Sequence, residues 1–171
     1  MGYHVNGQLV FSPLSENSVL VNKMEKGILY APPAEKSSIT VFLPFIDDFS
    51  RNHQPGALIQ LWDDNFVFVN PTYGVNPVTI GVATFDGLNW DGYPYDFENP
   101  TAYGDADVLT SCMINLNEDE NGIPYLLSDS IILSFLYQPT GLGDKPETED
   151  SLVLEFYDAD AESWVIQWNT R

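Results

Sequence analysis

The side chains of this sequence best suited to chemistry are the oxygen-bearing residues of one short loop. The loop reads Asn117-Glu-Asp119-Glu-Asn121-Gly122, with oxygen ligands at alternate positions before a glycine, as in the first half of an EF-hand loop. Calcium prefers carboxylate and amide oxygens, so Asn117, Asp119 and Asn121 are predicted calcium ligands. The twelfth position holds Ser128 where an EF-hand has glutamate, so a polar hairpin loop stays open as the alternative.

Two pairs of acids flank predicted strands. The pair Asp47-Asp48 follows the apolar run 39–45, and the pair Asp63-Asp64 precedes a second apolar run. Acids at strand ends can bind one calcium ion together with backbone carbonyls, so Asp48 and Asp64 are further predicted ligands. A structural calcium ion is therefore the one cofactor that the sequence predicts.

Aromatic residues lie beside acids and amides in the segment 89–96, which is rich in glycine and proline turn signals. Sugars bind where an aromatic face stacks on the pyranose ring next to carboxylates and amides. The predicted ligand-binding residues are Trp90, Tyr93, Tyr95 and Asp96. Core packing of the aromatic rings is the alternative.

Catalytic signatures are lacking in the sequence. The histidines are His4 and His53, and neither lies in a recognisable nucleophile motif. The sequence contains no Gly-x-Ser-x-Gly nucleophile elbow and no glycine-rich phosphate loop. We therefore predict that the chain is not an enzyme, and a polysaccharide-degrading activity is the weakest of the functions considered.

The charge of the chain excludes several classes of partner. The formal net charge is −19, and residues 52–144 contain thirteen acids and no lysine or arginine. Such a surface repels a phosphate backbone, so no nucleic acid is expected as partner, and an anionic membrane is unattractive too. The longest apolar runs fall short of a membrane span, so the chain is predicted not to cross a membrane. The acids favour divalent cations or basic partners, and simple solubility is the alternative.

Hydrophobicity alternates with a period of two through much of the chain, for example over 131–138, 152–157 and 164–168. Frequent turn signals separate these runs. Together they predict an all-β fold, a β-sandwich or jelly roll with an extended N-terminal arm. The arm, or leading strands, is expected over residues 1–38, where three of the four lysines lie, and the sandwich over 39–171. A helical turn is predicted near 51–60, and a flexible leader is the alternative to the arm.

A series of motifs occurs in a characteristic order and spacing: Leu43-Pro-Phe-Ile-Asp-Asp-Phe-Ser50, Leu61-Trp-Asp-Asp-Asn-Phe-Val-Phe-Val-Asn70, Pro77-Val-Thr-Ile-Gly-Val-Ala-Thr-Phe-Asp-Gly-Leu88, Tyr103-Gly-Asp-Ala-Asp107, Tyr137-Gln-Pro-Thr-Gly-Leu-Gly-Asp144 and Asp150-Ser-Leu-Val-Leu-Glu-Phe-Tyr157. Over residues 43–168 the chain resembles the jelly-roll modules of cell-surface proteins that gliding bacteria export through the type IX secretion system. Modules of this kind usually continue beyond the region of Trp168, so the stop at Arg171 predicts a truncated sandwich, or one completed by another segment or chain.

The resemblance implies a MAM-like or lectin-like β-sandwich that is secreted or displayed at the cell surface in association with the outer membrane. It also implies a structural calcium ion, with Asp48 at the matching acid of the first strand. The expected function is a binding or adhesion module for carbohydrate or another surface polymer, linked to gliding motility. The alternative is a structural component or cargo of an outer-membrane secretion or gliding assembly, which docks through strand edges.

Overall fold

A computed structural model describes much of the chain, with gaps, over residues 15–28, 39–50, 60–64, 66–95, 104, 106–143 and 145–170. The chain divides into two compact units, Met1–Leu133 and Ser134–Arg171. Among its described residues, the first unit holds a helix, four short strands and one 3-10 turn: α1 (Ser18–Glu25), β1 (Thr40–Val41), β2 (Phe68–Asn70), β3 (Val82–Thr84), β4 (Met113–Ile114) and the turn Leu127–Asp129. The second unit holds two longer strands, β5 (Val153–Asp158) and β6 (Ser163–Asn169).

Helix α1 begins at a well-formed cap. The Asn17 Oδ1 atom accepts hydrogen bonds from the amides of Val19 and Leu20, at 3.1 and 3.4 Å, which satisfies two of the amides that a helix start leaves unpaired. Leu20 and Val21 are buried on the inner side of the helix. The helix ends before Gly27, whose φ of +64° suits a left-handed C-terminal position.

Strands β2 and β3 pair antiparallel and carry the main apolar packing of the first unit. Val67 and Val69 are buried there against half-buried apolar neighbours that include Phe49 and Trp62. Asn70 is also buried, and its side-chain amide donates to Thr84 Oγ1 at 2.8 Å, while its Oδ1 accepts the amide of Tyr73 at 2.8 Å. A buried polar side chain that is hydrogen-bonded in this way fixes the turn after β2 without a desolvation penalty.

The remaining strands also form sheets of two strands each. β1 pairs with β4 in parallel over two residues each, and Trp62 and Ser111 form an isolated antiparallel bridge. In the second unit, β5 and β6 form an antiparallel hairpin with a bulge between Leu154 and Glu155. The bulge places Gln167 opposite no residue of β5, because Leu154 pairs with Trp168 and Glu155 pairs with Ile166.

The predicted β-sandwich or jelly roll is wrong. The described residues form three sheets of two strands each, with one eight-residue helix and no closed barrel. The alternating runs 152–157 and 164–168 are strands as predicted, but the run 131–138 joins no sheet among the described residues. Alternation identifies a strand with one apolar face, but it does not identify a partner strand, and sheets need partners.

The proposed domain boundary and several local predictions lie outside the described residues. The boundary between 1–38 and 39–171 falls next to the undescribed segment 29–38, and the helical turn near 51–60 falls almost wholly on undescribed residues, so both stay predictions. Helix α1 lies inside the predicted arm and was not expected from the sequence. No helix within the described ranges is long and apolar enough to cross a membrane.

Candidate functional site

A tyrosine and an aspartate form the centre of the candidate site. The Tyr95 hydroxyl donates a hydrogen bond to Asp107 Oδ1 at 2.9 Å. The other oxygen of the same carboxyl, Oδ2, accepts the backbone amide of Gly87 at 2.8 Å. Asp107 therefore ties the segment after β3 to the end of the loop that carries Tyr95. The Tyr95 side chain remains 40% exposed, so a ligand can reach its ring.

A second carboxylate lies beside this pair and is anchored to the helix. Asp86 Oδ1 accepts the amide of Leu88 at 3.2 Å, and its Oδ2 accepts the side-chain amide of Asn17 at 3.4 Å. Asn17 is also the cap of α1, and its backbone amide donates to Gly92 O at 2.8 Å. This one buried asparagine therefore links the helix, Asp86 and residues 88–95, here called the Tyr95 loop.

Burial raises the pKa of all three titratable groups of the site, Asp107, Asp86 and Tyr95. Burial, helped by the charge of Asp86, raises the pKa of Asp107 to about 6 against the lowering effect of its hydrogen bonds. Burial also raises the pKa of Asp86. The pKa of Tyr95 is raised as well, first by burial and then by the charges of Asp107, Asp86 and Asp64. At neutral pH the site thus combines a hydroxyl donor that keeps its proton with carboxylate acceptors.

The loop that positions Tyr95 is a tight hairpin turn. The amide of Asn89 donates to Tyr93 O, and the amide of Gly92 donates to Asn89 O, both at 2.8 Å. Gly92 has a φ of +87°, and a β-carbon there would lie 2.8 Å from the Leu20 β-carbon, so both conformation and space require glycine. The turn is therefore held against the start of α1, and Tyr95 leaves it at a fixed place.

The four predicted ligand-binding residues of this loop have different positions. Trp90 is half-buried and packs against the buried pair Leu20 and Phe68, as the core-packing alternative predicts. Tyr93 is half-buried, and Tyr95 is the exposed aromatic of the loop. Asp96 lies outside the described residues. A ligand role for these residues stays a prediction, and Tyr95 has the most suitable geometry.

The loop of the predicted calcium ligands is built in the same way as the Tyr95 loop. Isolated bridges close the two loops at Leu88–Pro94 and Glu118–Pro124, and a tyrosine follows the proline in each. Gly122 has a φ of +77°, matching that of Gly92. The sequence pattern shared by the two loops is Asx-x-Asx-Gly-x-Pro-Tyr, which occurs twice, thirty residues apart.

In that second loop, the predicted ligand Asp119 binds its own backbone. Its Oδ1 accepts the amides of Asn121 and Ile123, each at 2.9 Å, and these bonds lower its pKa. The backbone amide of Asn117 donates to Asn115 Oδ1 at 2.9 Å. The carboxylate thus closes the turn, which is the polar-hairpin alternative, and a calcium ion would have to share oxygens already used in this way.

The two remaining predicted calcium ligands, Asp48 and Asp64, accept hydrogen bonds from other parts of the chain. Asp48 Oδ1 accepts the amide and the hydroxyl of Ser50, at 3.1 and 2.6 Å, and Asp64 Oδ2 accepts the amide of Thr110 at 2.8 Å. Within the described ranges, no three histidine, cysteine or acidic side chains are grouped so that they could hold a metal ion. Calcium binding stays a prediction from the sequence.

Asp107, Asp86 and Asn17 belong to the site, although they are not among the residues predicted from the sequence. Asp86 and Asp107 occur there only within the motifs that carry the family resemblance. Asn17 precedes an apolar run, and asparagine in that position is a typical helix N-cap, which is the signal that could have located it. An asparagine and an aspartate that are 69 positions apart are brought together only by tertiary structure, so no local pattern could have paired them.

Comparisons with known proteins add no relative. No family model, no curated protein and no solved structure matches this chain.

Proposed function

We propose that this chain is a non-enzymatic binding or adhesion module of an exported cell-surface protein, and that its ligand is carbohydrate or another surface polymer. The observation that carries the proposal is the exposed Tyr95 ring whose hydroxyl is fixed on Asp107. The resemblance to modules exported by type IX secretion supplies the cellular setting, the outer surface of a gliding bacterium.

The chemistry of the Tyr95–Asp107 pair suits a ligand rich in hydroxyl groups. A sugar hydroxyl both donates and accepts hydrogen bonds, and it meets here a phenol oxygen that can accept one while its own proton is donated to Asp107, and carboxylate oxygens that accept them. The aromatic face adds apolar contact to the C–H face of a sugar ring, which water cannot match. A polyanionic ligand fits poorly, because Asp86 and Asp64 also lie near enough for their charges to raise the Tyr95 pKa.

The test is a glycan array probed with the folded chain and its variants. Tyr95→Ala removes the ring and the hydroxyl and is expected to abolish binding, while Tyr95→Phe keeps the ring and is expected to weaken it. Tyr125→Ala is the matched control, because Tyr125 follows the proline of the equivalent loop. Trp90→Ala is a poorer probe, since Trp90 packs in the core.

Two results would contradict the proposal. One is the absence of binding to any glycan or extracted surface polymer by the unaltered protein. The other is binding that Tyr95→Ala and Tyr125→Ala reduce equally. Surface proteolysis of intact cells tests the proposed location separately, because a protein inside the cell would be protected.

A second candidate is a structural component or cargo of an outer-membrane secretion or gliding assembly. One observation favours it: β5 and β6 form a sheet of only two strands, so each strand has an edge that no described strand covers. Such edges pair readily with other chains. Co-purification of a stable outer-membrane complex, without glycan binding, would support this candidate over the first.

A structural calcium ion remains part of the proposal, with two separate candidate sets of ligands: Asp48 and Asp64, or Asn117, Asp119 and Asn121. Elemental analysis of the purified protein and a chelator titration followed by Tm measure it directly. An unchanged Tm in chelator together with no bound metal would remove calcium from the proposal without affecting the Tyr95 site.

A further inference from the structure

The two faces of the β5–β6 hairpin have different surroundings. On one face, the Trp168 ring lies against Phe135 and Tyr137, with ring centroids 5.4 and 5.3 Å away. The other face carries Tyr157 and Trp164, which pair directly across the strands with ring centroids 5.3 Å apart. Trp168 is thus half-buried among aromatic residues of its own unit, whereas Tyr157 and Trp164 contact each other and are more exposed.

The second face, here the Tyr157 face, carries Val153, Glu155 and Tyr157 of β5 and Trp164, Ile166 and Asn169 of β6. Residues two apart on β5 share a face, and directly paired residues of β6 lie on the same side. Tyr157, Trp164 and Ile166 are 53, 46 and 57% exposed. A two-stranded hairpin with this much exposed apolar surface is marginally stable until something covers it.

The side chains along the β5 edge of the hairpin determine which kind of strand could pair with it. Along this edge the Tyr157 face presents Val153, Glu155 and Tyr157 in turn, an apolar, an acidic and an aromatic side chain. A strand added here places each of its residues opposite one of them, with side chains about 5 Å apart. The favourable complement is an apolar residue, a lysine or arginine, and a second apolar residue at alternate positions.

The charge of the hairpin discriminates between a second copy and a basic partner. Residues 146–170 contain seven acids and no lysine, arginine or histidine. Three of these acids, Asp158, Asp160 and Glu162, are exposed at the hairpin turn beside Tyr157 and Trp164. Two copies docked at this edge would bring like charges together, which is unfavourable, whereas a basic strand would be attracted.

We propose that the β5 edge and the Tyr157 face bind an extended protein segment in which apolar residues alternate with a lysine or arginine, added as a third strand. The inference rests on the second candidate function, docking through strand edges, and names the chemistry of the partner. Backbone hydrogen bonds to β5 supply affinity, and the residue opposite Glu155 supplies selectivity.

The experiment uses the full chain and two labelled peptides followed by fluorescence anisotropy. One peptide contains Ile-Thr-Lys-Thr-Tyr between Gly-Ser flanks, and the other has glutamate in place of the lysine. The lysine peptide is expected to bind about fivefold more tightly, the upper range for one cross-strand charge pair. Glu155→Lys is expected to reverse this preference, and Glu162→Lys, the same charge change at the turn, is expected to keep it.

Backbone pairing is tested with N-methylated lysine peptides. N-methyl groups on the amides that face β5 are expected to abolish binding, whereas N-methyl groups on the opposite edge leave it intact. Tyr95→Ala is expected to leave peptide binding unchanged, so a failure of the glycan proposal and a failure of this one are distinguishable.

Several results would overturn the inference. If the two peptides bind equally, or if Glu155→Lys does not alter the preference for the lysine peptide, the proposed pairing of the lysine with Glu155 is wrong. If the protein sediments as a monomer and binds neither peptide, the β5 edge is not a docking site. A concentration-dependent dimer that Ile166→Lys dissociates makes a second copy the occupant instead.

Discussion

The Tyr95 hydroxyl and the Asp107 carboxylate are joined by a hydrogen bond of 2.9 Å, and the same carboxylate holds the Gly87 amide through its other oxygen. The ionised form of Asp107 is thus favoured by two donors and disfavoured by its burial, and burial is the larger effect. A buried acid in this balance responds measurably when one donor is removed or when the pH changes.

Tyr95→Phe is expected to raise the pKa of Asp107 above its value of about 6, because the phenol is a donor to the ionised form. The ring is kept, so the burial of Asp107 changes little. An NMR titration of the side-chain carboxyl carbons measures the pKa. Tyr125→Phe in the equivalent loop is the control, and an Asp107 pKa that is the same in both variants would show that the hydrogen bond is not formed in solution.

Asp107 is expected to make the first unit less stable as the pH rises from about 4 to 6. The folded pKa of about 6 exceeds the ordinary 3.8, so the folded chain keeps a proton that the unfolded chain releases. This contribution is fully present below pH 3.8 and is lost once the pH passes the folded pKa. At about 1.4 kcal/mol for each unit of pKa difference, it is on the order of 3 kcal/mol. Asp107→Asn should remove it, as measured by urea unfolding across this pH range.

Asp119→Asn is the matched comparison, because hydrogen bonds within its loop lower the pKa of Asp119. Its contribution has the opposite sign: it is present above the unfolded pKa and is lost as the pH falls through the folded one. The two difference curves, each variant against the unaltered chain, should therefore slope in opposite directions. Curves with the same sign would contradict the assignment of Asp107.

The sequence predicted local structure better than it predicted the assembly of that structure. Strands β5 and β6 follow the alternating runs 152–157 and 164–168, and the acidic turn between them makes their pairing local. The run 131–138 alternates equally well, yet it pairs with no strand that the structure describes. Period-two alternation reports a half-buried surface, and the partner that buries it is a tertiary property.

Prediction of the candidate site is limited in the same way, because tertiary contacts are not contained in a local sequence pattern. Tyr95 was predicted because a loop with Pro94 and Gly92 presents an aromatic residue at the surface. Trp90 shares that loop, but its ring packs against Leu20, which the sequence places seventy residues earlier. Whether an aromatic residue in a loop faces solvent or the core depends on what packs beneath the loop, and no pattern within the loop contains that information.

Gly81→Ala is expected to destabilise the first unit by about 1–3 kcal/mol, the usual cost of forcing a methyl group into packed structure. A β-carbon at Gly81 would collide with the carbonyl oxygen of Phe49 and lie 2.9 Å from its carbonyl carbon. Phe49 has a φ of +53° and its ring stacks on Trp62 at 6.1 Å, so it has little freedom to move. Gly104→Ala is the control, since a β-carbon there meets nothing within 4 Å.

Thermal unfolding of the two glycine variants checks this expectation. Gly81→Ala should lower the Tm and alter the near-ultraviolet signal of Trp62, while Gly104→Ala should leave both unchanged. If both variants unfold at the same temperature as the unaltered chain, Phe49 does not approach Gly81 in the folded protein.

Asn17 has two roles that substitutions can separate. Its Oδ1 caps α1, and its Nδ2 donates to Asp86 Oδ2 at 3.4 Å. Asn17→Ala removes both and is expected to cost about 1 kcal/mol or more, measured by urea unfolding with circular dichroism. Asn22→Ala is the control, because Asn22 is exposed and its side-chain amide donates to Ser18 O within the helix.

Asn17→Asp keeps the cap but exchanges the donor to Asp86 for a second carboxylate. Aspartate caps a helix as well as asparagine does, so helix content should be retained. Like charges next to each other should raise the Asp86 pKa beyond its already raised value, so the variant is expected to be less stable at pH 7 and to recover stability as the pH falls through that pKa. A loss that is equal at pH 4 and pH 7 would mean that Asn17 acts on the helix alone and that Asp86 is not its partner.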